Sequence, residues 1–564
     1  MRTVLLLTAL SFVGFHTDSL AGDFTSDMQQ KIKGIDEEFK SSQKNGLKEA
    51  LNKRDEQYRG FIKEVEAIEP AKRGFAEYSV LAELDGRLRD WDAVIKNAQA
   101  ALALKNDAAE VHAALIKAYA EKGDLAHAEE SFQKGLEQSA DKELIAPLRY
   151  RLYLLNRRED KTQRAVEHLS LYVQSLREVK NANSKRNYVQ NATELSKFIF
   201  NEGDKNAAIP RLDEEINYWK GIDLKESPMA SGILRKLINQ KIRLLAQSKD
   251  EKSANELLTQ ARTELTAALE ASPDDVSLII DRGESLQVEA ELAPLEKQTE
   301  VRSACLDYFD QQLAKYSSNQ DFISAYAEAY RSFGLQLSKE ERLEDLQSHL
   351  KRFQGTVGKL PPETPSKITL TFAESMLKNL IRRLVAERKQ KELIGKPMIP
   401  LETDAWVNGS PQTPDELKGK VLLLDFWAVW CGPCRATFPH LTKLHEKYKD
   451  DGLVVIGLTR YYQYGWDEEK KEHRKESGIS DEKEVAAAEK FAAHHGLKHR
   501  LAFMPEESDT SDAYAVSGIP HVVVIDRAGI IRLIRVGSGD KNAHDIEKMV
   551  EELIKDKPTA SAAN

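Results

Sequence analysis

The chain has 564 residues, of which 41% are hydrophobic and 31% are charged. A chain of this length exceeds what one hydrophobic core supports, so at least two domains are expected. Its formal net charge of −9 at pH 7 argues against nucleic acid as a main partner, because phosphate binding requires clustered positive charge.

The residues at 1–21 have the pattern of a secretory signal peptide. Arg2 precedes an apolar stretch from Val4 to Phe15, and the small residues Ser19 and Ala21 stand where a signal peptidase reads the chain. A buried helix or a membrane anchor is the alternative, but this stretch is shorter than the roughly 20 residues that span a bilayer. We therefore predict an exported protein, periplasmic or otherwise extracytoplasmic, that is soluble after cleavage.

The region 23–391 is helical in character, because apolar residues recur at intervals of three and four with charges between them. A pattern of about 34 residues lies within it, with one copy at 111–136, a turn at Gly123-Asp124 and an earlier copy at 81–102. It resembles the tetratricopeptide repeat. The resemblance implies an all-α helical-repeat solenoid, whose surface suits a protein partner. Past residue 145, generic helix pairs explain the sequence equally well.

Glycines and prolines between Gly355 and Pro365 interrupt the helical pattern and predict a linker, followed by a connecting helix at about 366–391. After Gly395 the pattern changes to short apolar runs without alternation, which are typical of strands covered on both faces. The runs lie at 421–424, 453–456 and 522–525, with helical segments at 435–449 and 483–495 between them. This alternation predicts an α/β domain.

The chain contains three cysteines, Cys305, Cys431 and Cys434, too few for a scaffold held together by disulfides. Cys431-Gly-Pro-Cys434 directly follows the first apolar strand and opens a helix, whose N-terminus stabilises a thiolate at Cys431. Thiolate is the attacking species in disulfide exchange, and the two-residue spacer lets Cys434 resolve the mixed disulfide. Half a zinc site and a passive disulfide are the alternatives; zinc normally takes four ligands, so no metal is expected.

Cys305 has a different environment from the other two cysteines. It stands in a predicted helix, between Ala304 and Leu306. We expect it to be buried and inert.

The residues around the cysteine pair resemble a known family. Trp430-Cys431-Gly432-Pro433-Cys434 resembles the thioredoxin signature, and Pro439 matches the proline within the helix that follows it. Gly518-Ile519-Pro520 resembles the cis-proline loop of that family. The resemblance implies a thioredoxin fold in which this loop lies against the dithiol.

Further matches narrow the resemblance to exported thioredoxins of the TlpA/ResA type. They lie at Gly395-Lys396-Pro397, Leu417–Lys420 and Ile525-Asp526. The resemblance implies protein disulfide reduction outside the cytoplasm, with no cofactor besides the redox-active disulfide of Cys431 and Cys434. The predicted divisions are a signal peptide at 1–21, an α-helical repeat domain at 23–354, a linker plus connecting helix at 355–392, an α/β thioredoxin-fold domain at 393–556 and a disordered tail at 557–564.

Asp425 stands six positions before Cys431, where thioredoxin keeps a buried acid. A carboxyl in an apolar strand is desolvated and holds its proton more tightly, so it can accept the proton of Cys434 near neutral pH. A surface-turned aspartate at a strand end is the alternative. Thioredoxin also has a lysine near this acid on the next strand, and 453–458 contains none.

The resemblance implies substrate-binding roles around the loop proline. The Ile519-Pro520 bond would be cis, exposing the backbone of Ile519 for strand-like pairing with a substrate, and Trp430 would border the same cleft. An ordinary trans proline is the alternative. His521 replaces a small polar residue after this proline and would either tune the thiols or be a hydrogen-bonded structural histidine.

Four aromatic residues, Tyr461, Tyr462, Tyr464 and Trp466, follow the second apolar strand. Loops at the carboxyl ends of α/β strands border the functional crevice, so this patch, with Tyr461 first, is a candidate substrate contact. Local packing of an inserted helix explains the same residues.

The sequence thus predicts an exported thiol-disulfide oxidoreductase that reduces protein disulfides. Its expected partners are disulfide-containing proteins, an upstream membrane electron donor and a protein bound by the helical solenoid. A repeat scaffold whose dithiol acts as a redox sensor is one alternative, and a disulfide oxidase or isomerase is another.

Overall fold

A computed structural model describes residues 23–42, 47–139, 141–223, 229–361, 364, 367–411, 413–468 and 471–556. The predicted signal peptide at 1–21 and the predicted tail at 557–564 lie outside these residues. The chain divides into two compact units, Met1–Cys305 and Leu306–Asn564. Within the described ranges, none of the helices combines the length and the apolar character needed to cross a bilayer.

The described residues of the first unit form helices and no strands, which confirms the predicted all-α region. These helices are α1 (Asp23–Ser42), α2 (Leu47–Glu66), α3 (Phe75–Leu88), α4 (Trp91–Leu104), α5 (Ala109–Lys122), α6 (Leu125–Gln138), α7 (Lys142–Ile145), α8 (Arg149–Arg158), α9 (Thr162–Ser175), α10 (Ala182–Glu202), α11 (Lys205–Lys220), α12 (Ala230–Gln247), α13 (Glu251–Ala271) and α14 (Val276–Leu292). The boundary between the units falls within α15 (Leu295–Tyr316).

Two successive helix pairs, α3–α4 and α5–α6, repeat the same local design. Helices α3 and α5 begin 34 residues apart, as do α4 and α6. Asp90 and Asp124 each cap the second helix of their pair by accepting a backbone N–H bond from the residue three positions on. Ala98 and Ala128 are fully buried, which allows the helices to pack closely. The assignment of these pairs to the tetratricopeptide family remains a prediction.

Helices of the second unit lie on both sides of the linker predicted at 355–365. They are α16 (Gln320–Lys339), α17 (Leu343–Val357) and α18 (Lys367–Leu393), and they pack against one another within this unit. The boundary between the compact units, within α15, precedes the linker predicted at 355–365 in the chain. Helix α18 is bonded to the α/β part of its own unit, because Gln390 Nε2 donates to Ala515 O at 2.7 Å and Lys389 Nζ donates to Asp512 O at 2.6 Å.

The α/β part contains a six-stranded sheet of order β1-β6-β3-β2-β7-β8 and a separate hairpin of β4 and β5. Strand β3 is parallel to β2 and β6, whereas β7 is antiparallel to β2 and β8. The elements are β1 (Ala405–Val407), α19 (Pro414–Leu417), β2 (Val421–Phe426), α20 (Gly432–Tyr448), β3 (Leu453–Arg460), β4 (Tyr464–Asp467), β5 (Glu472–Lys475), α21 (Asp481–His494), β6 (Arg500–Met504), α22 (Thr510–Ala513), β7 (His521–Ile525), β8 (Ile531–Val536) and α23 (Asp540–Lys555).

Strand β2 lies in the middle of this sheet and is buried along its whole length. Leu422 and Leu424 pack into the core on one face, while Val421 and Leu423 pack into a second core with apolar residues of α20 and α23. Both faces of the sheet are thus covered, which explains the uninterrupted apolar run in the sequence. The carboxyl end of β2 leads directly to the cysteine pair.

Candidate active site

The cysteine pair lies where β2 turns into α20. Cys431 is the N-cap of α20, and its Sγ accepts a hydrogen bond from the backbone N–H of Cys434 at 3.2 Å. Pro433 fits in the first turn, where a backbone N–H has no helical acceptor. The sulfur of Cys431 is therefore at the positive end of the helix dipole, which favours a thiolate.

The two sulfurs differ in access. They are joined in a disulfide, with the Cα atoms 5.3 Å apart. Cys431 is 4% exposed and Cys434 is fully buried. An incoming sulfur therefore reaches Cys431 first, while Cys434 is shielded from solvent.

The loop before β7 lies against Cys431. The Ile519–Pro520 peptide bond is cis, and Ile519 O is 3.8 Å from Cys431 Sγ. Pro520 O accepts a hydrogen bond from Gly537 N at 2.8 Å, which ties the loop to the end of β8. The fold thus brings Cys431, Cys434, Ile519 and Pro520 together at one edge of the sheet.

Trp430 is the exposed aromatic residue beside the disulfide, with 45% of its surface accessible. Its ring packs edge-to-face on Tyr462, with the ring centroids 5.5 Å apart. Tyr461 faces elsewhere: it stacks on Phe503 at 4.8 Å, and its hydroxyl donates to Asp404 Oδ1 at 2.9 Å. The aromatic contact with Trp430 therefore comes from Tyr462 and not from Tyr461.

Asp425 is fully buried in β2, between Gly457 of β3 and Val522 of β7. Neither carboxyl oxygen has a hydrogen-bond partner among the described residues. Burial raises the pKa of Asp425 to about 7, because the charged form is desolvated. A side chain at Gly457 would collide with Trp427, whose Nε1 lies 2.9 Å from the ideal Cβ position.

Comparisons with known proteins agree with this geometry. Residues 393–553 match the family model described as Redoxin. The chain is 26% identical to the thiol-disulfide oxidoreductase ResA of Bacillus anthracis over 165 residues, 29% of this chain and 81% of ResA. This region is a redoxin domain. It has the TlpA/ResA-like thioredoxin fold, and the domain is that of a thiol-disulfide oxidoreductase.

Two further matches each cover a similar fraction of the chain. Protein DipZ of Mycobacterium bovis is 32% identical over 154 residues, 27% of this chain, and the chain spans 19% of the length of DipZ. The solved structure of a putative protein disulfide isomerase from Bacteroides thetaiotaomicron is 27% identical and covers 29% of this chain and 91% of its own, with a TM-score of 0.22. Each match covers less than a third of the chain.

His521 follows the loop proline of the redoxin domain and is fully buried. Its ring packs edge-to-face on Phe426, with the centroids 5.4 Å apart, and neither ring nitrogen has a partner among the described residues. Burial lowers its pKa to about 4. The imidazole is therefore neutral at pH 7, and it lacks the hydrogen bonds expected of a structural histidine.

The segment after β3 in the redoxin domain is a hairpin of β4 and β5, where an inserted helix was the alternative to a substrate patch. The segment that leads into this hairpin is hydrogen-bonded to Glu484 of α21. The sequence pattern had not identified Glu484 as a site residue. The carboxylate accepts three backbone N–H bonds, from Tyr462 at 2.8 Å, Gln463 at 2.8 Å and Tyr464 at 3.1 Å. A signal was present in the sequence, because Glu484 shares helical spacing with the buried Ala488 and Phe491.

No group of three or more histidine, cysteine, aspartate or glutamate side chains in the described part of the chain is arranged to hold a metal ion. At this edge of the sheet the structure places the two sulfurs, a carboxyl with a raised pKa, and the aromatic and backbone groups around them.

Proposed function

We propose that the protein is an exported protein-disulfide reductase that uses Cys431 and Cys434 as its dithiol. The observation that carries the proposal is the position of Cys431, which caps α20, receives the N–H of Cys434 and adjoins the cis-proline loop. A sulfur in this position ionises readily and remains within reach of its resolving partner.

The reaction transfers two electrons from the reduced dithiol to a substrate disulfide. The Cys431 thiolate attacks one substrate sulfur; a bond forms between the two sulfurs, the substrate S–S bond breaks, and the second substrate sulfur leaves as a thiolate. The Cys434 thiolate then attacks Cys431 Sγ, which forms the Cys431–Cys434 disulfide and releases the first substrate sulfur as a thiolate. The two protons of the enzyme dithiol end on the two substrate thiols.

Asp425 is proposed as the acceptor of the Cys434 proton. Cys434 is shielded from water, so its thiol needs a group inside the protein that takes up the proton before the second step. With a pKa of about 7, the buried carboxyl of Asp425 is close to half ionised at neutral pH, which suits a group that both takes and returns a proton.

Docking of the substrate is assigned to Trp430, Ile519 and Pro520, with Tyr461 as a more distant contact. The exposure of Trp430 and the position of the Ile519 carbonyl beside Cys431 support this assignment. An extended substrate segment paired with the Ile519 backbone would present its disulfide to the sulfur of Cys431, the more accessible of the two.

Export of the protein and re-reduction of its Cys431–Cys434 disulfide are part of the same proposal. The sequence pattern at 1–21 supports export, and an oxidising compartment returns the dithiol to the disulfide. A reductase there requires an electron donor, which we propose is a dithiol protein in the membrane. The helical unit is proposed to position partner proteins, because stacked helices offer extended surfaces.

The test is substrate trapping with the full-length Cys434→Ser variant. Without the resolving thiol, Cys431 should stay linked to its substrates, and mass spectrometry should identify proteins that a reductant releases. Cys431→Ser is the matched control and should trap nothing. Absence of trapped protein, together with no reduction of insulin disulfides by the unmodified protein, would overturn the proposal and favour the scaffold alternative.

The redox direction is tested separately by equilibrium with glutathione. A potential near about −270 mV, like that of thioredoxin, is expected for a reductase. A potential near about −120 mV would instead identify a disulfide oxidase.

A further inference from the structure

The loop between β3 and β4 is hydrogen-bonded to α21 through the side chain of Glu484. We call residues Tyr461–Tyr464 the aromatic loop. Glu484 is 5% exposed, and its carboxylate accepts the backbone N–H groups of three of these four residues. Three successive N–H groups around one anion form a backbone nest, in which the hydrogen bonds are charge-assisted.

The aromatic loop has a conformation that needs this support. Gln463 has a φ of +60°, which places a residue with a side chain in the left-handed region. Its carbonyl also accepts a hydrogen bond from Glu476 N at 2.8 Å, which closes the end of the β4–β5 hairpin. The Glu484 carboxylate therefore fixes a backbone turn that the local sequence does not favour by itself.

The aromatic loop reaches the cysteine pair through Tyr462. The N–H of Tyr462 is held by Glu484 at 2.8 Å, and its ring packs on Trp430, the neighbour of Cys431. The chain of contacts thus runs from the carboxylate, through the backbone and ring of Tyr462, to the exposed ring beside the reactive sulfur. Each of these contacts lies at the carboxyl end of β3.

We propose that Glu484 is a positioning residue that sets the affinity of the redoxin domain for polypeptide disulfides. By fixing the aromatic loop, it holds Tyr462 and Trp430 as one aromatic wall of the cleft beside Cys431. The substrates favoured by such a wall are polypeptide segments with apolar or aromatic side chains next to the cysteine. The inference rests on the disulfide exchange proposed above, and it adds a determinant of substrate selection to it.

The test compares a polypeptide substrate, insulin, with a small one, oxidised glutathione, using the full-length protein. Glu484→Gln replaces one carboxylate oxygen by an amide N–H₂, which cannot accept a backbone N–H bond. We expect the KM for insulin to rise about tenfold, while kcat and the rate with oxidised glutathione change less than about twofold. Glu489→Gln, an exposed position on the same helix, is the matched control and should change neither substrate.

A second variant keeps the test decisive if Glu484→Gln fails to fold. Tyr462→Ala leaves the Glu484 carboxylate and its backbone N–H donors in place and removes only the ring. It should raise the KM for insulin in the same way, and in a foldable double variant the two effects should not add. The inference would be overturned if Tyr462→Ala weakened the reaction with insulin and with oxidised glutathione equally, or changed the reaction with neither substrate. If the unmodified protein reduces neither substrate, the proposed function itself has failed.

Discussion

Two buried carboxylates, Glu215 in the helical unit and Asp425 in the redoxin domain, have opposite surroundings. Glu215 accepts hydrogen bonds from Arg177 at 3.0 and 3.1 Å, from Arg211 at 2.8 Å and from Tyr188 at 2.6 Å. Burial acts to raise its pKa, but the hydrogen bonds from Arg177 and Tyr188 outweigh burial and hold the pKa below its usual value. Asp425 has no partner among the described residues, and burial raises its pKa to about 7.

The difference is the one expected between a structural carboxylate and the proton acceptor proposed for Asp425. A lowered pKa in the folded state means that Glu215 stabilises the fold at neutral pH and loses this effect as the pH falls through its folded pKa. The raised pKa of Asp425 means that the folded state binds a proton more tightly than the unfolded chain. Its contribution is therefore lost as the pH rises from about 4 to about 7, and at higher pH the buried charge opposes folding. A group kept at such a cost is typical of a functional site.

The largest effect is expected for Asp425→Asn, because it removes a buried charge without changing the shape. One pKa unit corresponds to about 1.4 kcal/mol, so the free energy of unfolding should rise by about 4 kcal/mol at pH 8 and by less than about 1 kcal/mol at pH 4. Hydrogen exchange of the β2 amides at both pH values measures this. Asp450→Asn, at an exposed position, is the control, and equal gains at the two pH values would contradict the unpaired state of Asp425.

Glu215→Gln tests the other side of the comparison. The variant leaves Arg177 and Arg211 without their shared anion, so the free energy of unfolding should fall by about 3 kcal/mol at pH 7. Urea unfolding followed by far-ultraviolet circular dichroism measures it. Glu214→Gln is a close control, because the side chain of Glu214 is 63% exposed and that of Glu215 only 1%. A similar loss of unfolding free energy for both variants would show that burial of the carboxylate does not determine how much its ion pair stabilises the fold.

His521→Leu asks whether an unpaired base behaves as the mirror image of Asp425. The folded pKa of His521 is about 4, whereas the ordinary pKa of histidine is about 6.5. Between these two pH values the unfolded chain therefore binds a proton that the folded state does not bind. This histidine should cost about 2 kcal/mol of stability between pH 7 and pH 5, and the leucine variant should lose that pH dependence. The same unfolding experiment at both pH values checks it, with the exposed His544→Leu as control.

The smallest effect is expected for Cys305→Ala. Cys305 is fully buried, with Sγ 3.6 Å from Gly283 O. Its removal should lower the free energy of unfolding by about 1 kcal/mol and leave disulfide reduction unchanged. Alkylation of Cys305 in the native protein, or a loss of activity in the variant, would show that the third cysteine takes part in the redox chemistry.

Local patterns in the sequence were sufficient for much of this architecture. Period-3.6 spacing predicts the helices of the first unit. The apolar runs predict β2 and β7 to within two residues, whereas β3 continues four residues beyond its run at 453–456. The cysteine spacing predicts the helix start, since the physical need for a thiolate at that position is local. The cis bond before Pro520 followed from a family resemblance and not from the residues alone.

Features that depend on distant partners were not predicted. The aromatic loop contains no glycine, so its sequence does not indicate the positive φ at Gln463. The residue that binds its backbone, Glu484, lies on a helix that follows the whole β4–β5 hairpin. The unit boundary within α15 is equally non-local, because it depends on which helices pack together and not on the glycines near Gly355. That Asp425 lacks a hydrogen-bond partner among the described residues can likewise be seen only once the strands on both sides are in place.

The bonds from α18 have a practical and mechanical consequence. Lys389 and Gln390 donate hydrogen bonds to the backbone of the turn at Asp512–Ala515, which leads into the cis-proline loop. A fragment that starts at residue 393 would lack both hydrogen-bond donors to this turn, and each such hydrogen bond contributes about 0.5–1.5 kcal/mol. Expression boundaries are therefore better set before α16 than at the edge of the redoxin match. In the intact chain, α18 thus holds the segment that precedes the cis-proline loop.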